Sequence, residues 1–135
     1  MDLIAHFNAA RNVVSLPAGA VLFAEGDPGA NMYVLIEGMA EVFVGGEIVE
    51  AAHAPALLGE MALVDNTVRS ATVVSRTTCK LVSIDVQQFD LLIRESPEFA
   101  RQVMSVMAGR LRVMNEHLKE AIRELSVRGR RPKDA

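Results

Sequence analysis

The hydrophobic pattern of this 135-residue chain changes period near residue 85, and with it the kind of structure the chain can build. From Val13 to Ile84 the apolar residues fall in short runs, mostly rich in β-branched and aromatic side chains. These are Val21–Phe23, Met32–Ile36, Ala40–Val44, Ile48–Val49, Ala71–Val74 and Cys79–Val82. Turn residues part several of them, at Pro17-Ala18-Gly19, Gly26-Asp27-Pro28-Gly29, Glu37-Gly38 and Gly45-Gly46. About six short strands at this spacing predict an antiparallel β-barrel or jelly roll over roughly residues 13–84. Gly45-Gly46-Glu47 between Val44 and Ile48 predicts a tight hairpin.

After Ile84 the signals become helical. Asp85 followed by Gln88 is close to a capping box and predicts a helix over about 86–94. Ser96-Pro97-Glu98 supplies an N-cap, a first-turn proline and an acidic first turn for a second helix. No proline interrupts it before Pro132, so it runs from 97 to about 127, roughly 45 Å at ~1.5 Å per residue. Gly109 is its one weak point, costing about 1 kcal/mol relative to alanine. The fold class is α+β: a β-barrel domain followed by two helices, the last one long, in one domain over 1–127 with a basic tail at 128–135.

Along the long helix Met104, Met107, Leu111, Met114, Leu118, Ala121 and Leu125 recur at alternating spacings of three and four. Such a stripe either lies on the core of the β-domain or forms the seam of a two-stranded coiled coil. A helix of this length outreaches a barrel so small, so its distal half calls for another partner, and a homodimer is the expectation.

Composition excludes several classes. Half the residues are apolar, and a chain of this size buries roughly two thirds of its unfolded surface. A net charge of −3 argues against a nucleic-acid binder held by bulk positive charge. The single cysteine, Cys79, forbids an intrachain disulfide and fits a reducing cytoplasm. No apolar run approaches the roughly 18 residues that span a membrane. Val13–Ala24 loosely mimics a signal peptide, but Pro17 in its middle and Asp2 near the start mark it as folded sequence. Charge is split: residues 1–90 hold four basic and eleven acidic side chains, and residues 91–135 hold ten and six.

One segment is neither a plain strand nor a plain loop. Leu58-Gly59-Glu60-Met61-Ala62-Leu63, then Arg69-Ser70-Ala71-Thr72, closely resembles the phosphate-binding cassette of the cyclic-nucleotide-binding domain family. That module occurs in cAMP-receptor transcription factors, cAMP-dependent kinase regulatory subunits and cyclic-nucleotide-gated channels. Gly19–Gly26 and Met32–Gly38 also resemble the family's glycine-punctuated strands, and the two helices fall where the family places its last two. The resemblance covers about residues 13–127.

The residues of the cassette suit a cyclic nucleotide on their own chemistry. Arg69 offers a permanently charged fork for phosphate oxygens. A short helix over Glu60–Leu63 would turn free N–H groups toward an anion, and Gly59 would let the backbone approach where a Cβ would clash. As in the family, Glu60 would accept a hydrogen bond from the ribose 2′-hydroxyl, and Ser70 could donate to a phosphate oxygen. The plain alternative is a Glu60–Arg69 ion pair at the barrel mouth with Gly59 as a turn residue. Leu58, Met61, Ala62 and Ala71 complete the expected ligand-binding set in the cassette.

Two positions depart from the family pattern. Val68 stands where many members have proline, and His53-Ala54-Pro55-Ala56 replaces a common Pro-Gly turn. Both changes bear on affinity, and neither removes a ligand contact. Ser70 stands where, in the family, threonine tends to accompany cGMP and alanine cAMP, and serine matches neither; the expected ligand is cAMP, with cGMP the alternative. By resemblance to the transcription-factor branch the long helix supplies a lid over the base. Arg110 could then stack on the purine and Asn115 hydrogen-bond it, beside Leu111 and Met114.

Leu125–Arg130 resembles the hinge that leads, in those transcription factors, into a helix-turn-helix domain; here five residues follow it. Direct transcriptional regulation is therefore not expected, and the basic tail residues Arg128, Arg130, Arg131 and Lys133 read as a solvated end. His6, His53 and His117 lie in separate elements without metal-ligand spacing, and Glu60 and Asp65 have no water-activating partner. No enzyme, cofactor or metal is expected. The chain reads as a stand-alone cyclic-nucleotide sensor presenting a surface to a protein that the sequence does not identify. The alternative is a dimerisation module of the same fold that does not respond to nucleotide.

Overall fold

The computed structural model describes residues 2–7, 12–65 and 68–129. The chain divides after Ala100 into two units. The first holds α1 (Leu3–Phe7), eight strands, α2 (Glu60–Asp65) and α3 (Val86–Glu95); α4 (Pro97–Gly129) begins there and makes up the described part of the second.

The strands are β1 (Val13–Leu16), β2 (Val21–Phe23), β3 (Asn31–Glu37), β4 (Met39–Val44), β5 (Glu47–His53), β6 (Ala56–Leu58), β7 (Thr72–Ser75) and β8 (Cys79–Asp85). They form two antiparallel four-stranded sheets, ordered β1-β8-β3-β6 and β2-β7-β4-β5. The β4–β5 hairpin turns on Gly45-Gly46, as expected. The sheets stay open, which corrects the barrel expected from strand spacing. Three of the four edge strands, β1, β2 and β6, are only three or four residues long, too short to carry a ladder from one sheet to the other.

Two strands were not anticipated. β1 alternates partly buried with exposed residues and is held by β8 alone, while β6 (Ala56-Leu57-Leu58) has no β-branched residue and is held by β3. The core between the sheets joins Leu35, Leu58, Cys79 and Leu81 of one to Ala40, Ala52 and Val73 of the other. Each large apolar side chain buried there contributes about 1.5–3 kcal/mol. Buried Ser75 is satisfied by the Pro17 and Ala20 carbonyls, both of which accept from its hydroxyl, so it closes the β1–β2 turn onto β7.

The helix starts follow the sequence signals. Asp85 Oδ1 accepts from the Gln88 amide at 2.8 Å and Gln88 Oε1 accepts from the Asp85 amide at 2.9 Å, a complete capping box. At the head of α4 the Ser96 carbonyl takes the Phe99 and Ala100 amides. Phe99 is fully buried and meets Phe7 and Phe89 edge-on at 6.2 and 6.1 Å, so α1, α3 and the first turn of α4 share one aromatic cluster.

Taken by itself, α4 extends to Gly129, two residues past its expected end. Its 3-4 stripe is open to solvent at Met104, Leu111, Met114, Leu118 and Leu125, with Leu125 65% exposed. Arg128 pairs with Glu124 on the same helix. Arg130, Arg131 and Lys133 lie outside the described residues.

Candidate functional site

β6 delivers the chain to the site: Leu58, paired with Tyr33 on β3, is buried, and Gly59 then turns the backbone with φ +78° into α2. A Cβ on Gly59 would lie 2.5 Å from Arg69 Nη1 and 3.2 Å from the Phe23 ring. The glycine is therefore required twice, for its φ and for a close approach. Gly59→Ala should weaken ligand binding by more than tenfold and lower stability by about 1–3 kcal/mol, readable by titration and urea unfolding.

Glu60 opens α2 with its side chain 1% exposed, followed by exposed Met61 and buried Ala62. After α2 the chain returns alongside the β2–β3 turn. Val68 bridges Pro28, the Arg69 amide donates to the Asp27 carbonyl at 2.8 Å, and the Gly26 amide donates to the Arg69 carbonyl at 2.8 Å. This short ladder fixes the Arg69 backbone before β7 begins.

The Arg69 side chain is 4% exposed. Nη1 donates to the Gly59 carbonyl at 3.1 Å, Nη2 donates to Asn31 Oδ1 at 3.0 Å, and the guanidinium carbon sits 4.1 Å above the Phe23 ring. Phe23 is in turn stacked on Tyr33, 6.2 Å between centroids. Burial pulls the guanidinium below its ordinary value, and the Tyr33 hydroxyl and Asp27 carboxylate act in the opposite sense. An arginine so placed remains a cation throughout the accessible pH range. Its Nε is buried and has no hydrogen-bond partner among the described residues. A buried N–H without an acceptor costs free energy, and an anion brought to it would recover that cost.

Gly59 and Arg69 are thus brought together, Ala62 and Arg69 both lie against Gly29, and Glu60 is buried at the head of α2. Ser70 is exposed and Ala71 half-buried as the chain runs on toward β7. Arg110 and Asn115 lie on α4 in the second unit, Arg110 half-buried and Asn115 exposed. Sequence reasoning missed the residues that hold Arg69, namely Asn31 and Phe23, both backed by Tyr33. It also missed Gly29, where a Cβ would lie 2.5 Å from that of Ala62 and 3.0 Å from Arg69 Nε. The Gly26–Gly29 turn was legible only as a turn. The described residues contain no group of three or more His, Cys, Asp or Glu side chains that could hold a metal ion. No described helix is long and apolar enough to cross a membrane.

The model of the cyclic nucleotide-binding domain matches residues 13–96, well over half of the chain. The chain belongs to the cyclic nucleotide-binding domain family. It is 31% identical over 114 residues to the CRP-like cAMP-activated global transcriptional regulator of Mycobacterium tuberculosis, covering 81% of this chain and 51% of that protein. The chain therefore spans about half the length of that curated relative. Among solved structures it is similar to the Thermus thermophilus catabolite activator protein, with TM-score 0.72 and 28% identity over 81% of this chain and 54% of the other. It is also similar to cAMP-bound PfPKA-R, with TM-score 0.66 and 27% identity over 77% of this chain and 36% of the other. The cassette, with Glu60 at its head and Arg69 at its end, lies inside the matched family domain.

Proposed function

We propose that this chain is a cyclic-nucleotide sensor that binds cAMP, with cGMP the alternative nucleotide, and signals through its C-terminal helix. The observation that carries this reading is the buried Arg69 guanidinium at the end of the cassette, whose Nε–H has no partner among the described residues. In this role Arg69 takes the cyclic phosphate, Glu60 accepts from the ribose 2′-hydroxyl, and Ser70 donates to a phosphate oxygen. The similarity to the cAMP-activated regulator of Mycobacterium tuberculosis and to cAMP-bound PfPKA-R supports the choice of base.

A ligand held at hundredfold excess over its Kd stabilises the folded state by about 2.7 kcal/mol. For a chain this long, that raises the melting temperature by roughly 10 °C. That rise with cAMP, and a smaller one with cGMP, is the expected result. Unchanged melting with both nucleotides would leave the dimerisation module as the better reading.

The exposed α4 stripe supports a homodimer, because seven positions at coiled-coil spacing would be covered at once by the same helix of a second copy. Sedimentation equilibrium should give twice the chain mass for the wild type and the single-chain mass for Leu111→Lys combined with Leu118→Lys. A wild type that sediments as a single chain at tens of micromolar would rule the homodimer out.

A further inference from the structure

We propose that Asn31 is a positioning residue for Arg69, and that it acts through a hydrogen-bonded relay anchored on Ser83. The inference rests on the reading of Arg69 as the phosphate ligand. Asn31 Oδ1 accepts from Arg69 Nη2 at 3.0 Å, while Asn31 Nδ2 donates to Ser83 Oγ at 2.6 Å and to the Tyr33 hydroxyl at 3.2 Å. Both ends of the amide are therefore used, which fixes its flip as well as its position. Asn31 opens β3 opposite Asp85, and Ser83 faces Tyr33 in the same ladder, so the relay is mounted on two paired strands rather than on a loop.

The chemistry of the relay fits an anion site. An arginine has five N–H donors, and the bonds to Gly59 O and Asn31 Oδ1 use one on each terminal nitrogen. Nε–H has no acceptor among the described residues, which leaves it and the remaining terminal hydrogens for phosphate oxygens. The acceptor at position 31 is an amide and carries no charge, so it orients the fork without neutralising it. A carboxylate there would compete with the phosphate for the same cation. Holding a flexible side chain in its bound geometry before the ligand arrives lowers the ordering cost of binding. Phe23 beneath the guanidinium does the same from the other side.

The test is a titration of the full chain with cAMP in the wild type, Asn31→Ala, Ser83→Ala and the double variant, with each melting temperature recorded. Alongside it, the Arg69 side-chain resonances, displaced by the ring current of Phe23, are followed by NMR without ligand. Asn31→Ala should weaken binding by roughly ten- to a hundredfold, the worth of one hydrogen bond to a charged group. It should also move the Arg69 resonances toward ordinary values. Ser83→Ala, which frees the amide without removing it, should weaken binding several-fold. The double variant should bind like Asn31→Ala alone, because both substitutions act through one relay. Additive losses, or wild-type binding in Asn31→Ala with unmoved Arg69 resonances, would overturn the proposal. Should Asn31→Ala fail to fold, Ser83→Ala decides: wild-type affinity and unmoved resonances in that variant also overturn it. A wild type that binds no cyclic nucleotide contradicts the function assigned to Arg69, a result distinct from those.

Discussion

Replacing Arg69 with alanine should cost about 2–5 kcal/mol of cAMP binding, a loss of roughly 30- to 5,000-fold in affinity. The magnitude follows from where the charge sits. The guanidinium is buried, desolvated and held by neutral acceptors, so its attraction for a phosphate is little screened, and a phosphate entering without it would itself be left unpaired. Arg69→Lys should fall between wild type and alanine, since it returns the charge without the two-point fork. Glu60→Ala should cost less than Arg69→Ala, about 1.5–3 kcal/mol, because it removes a hydrogen bond to a hydroxyl rather than a charge pair. Calorimetric titration of the four proteins checks the order. The sign of any pH effect is also fixed. Burial lowers the Arg69 value, so its charge would be lost only as pH rises, and an arginine stays charged at any ordinary pH. A cyclic phosphodiester is anionic over the same interval. Affinity should therefore be flat between about pH 6 and 9, and a steep fall in that window would mean another group carries the binding.

The largest expected effect on stability lies elsewhere. Phe99→Ala should destabilise the fold by about 3–5 kcal/mol, a large part of the roughly 5–15 kcal/mol typical of a whole domain. Phe99 is fully buried, and its ring is the shared member of the edge-on pairs with Phe7 and Phe89. Its removal leaves a cavity lined by two aromatics from two different helices, which cannot both collapse into it. Urea unfolding should show the midpoint fall at nearly constant slope. A change below about 1 kcal/mol would mean that α1 and the start of α4 contribute little to the fold.

Local chemistry was legible in the sequence, and long-range pairing was not. Asp85 with Gln88 marked the start of α3 to the residue, and Ser96-Pro97-Glu98 marked that of α4, because caps are written within four positions of chain. The Gly45-Gly46 turn was equally plain. β6 escaped because Ala56-Leu57-Leu58 has no strand propensity of its own and is held by its pairing with β3. α1 escaped because it is a single turn and a half, secured by the burial of Leu3 and Phe7. Gly59, Glu60 and Arg69 could be picked out as a constellation, but the close neighbours of Gly59, which are Arg69 and Phe23, could not be foreseen. The residues that hold Arg69 lie 38 and 46 positions away, at Asn31 and Phe23, and no spacing rule connects them. The expected antiparallel strands followed by two helices are there, and only closure into a barrel is not, for a related reason: strand spacing counts strands, while closure depends on the length and pairing of the edges.

The central claim is that the cassette binds one cyclic nucleotide through Arg69. Titration calorimetry of the full chain with cAMP tests it most directly. The account requires saturable binding with a stoichiometry near one nucleotide per chain, weakened by at least tenfold in Arg69→Ala. Folded wild-type protein that gives no binding heat with cAMP or cGMP at several temperatures, or an Arg69→Ala variant that binds as tightly as the wild type, would contradict it.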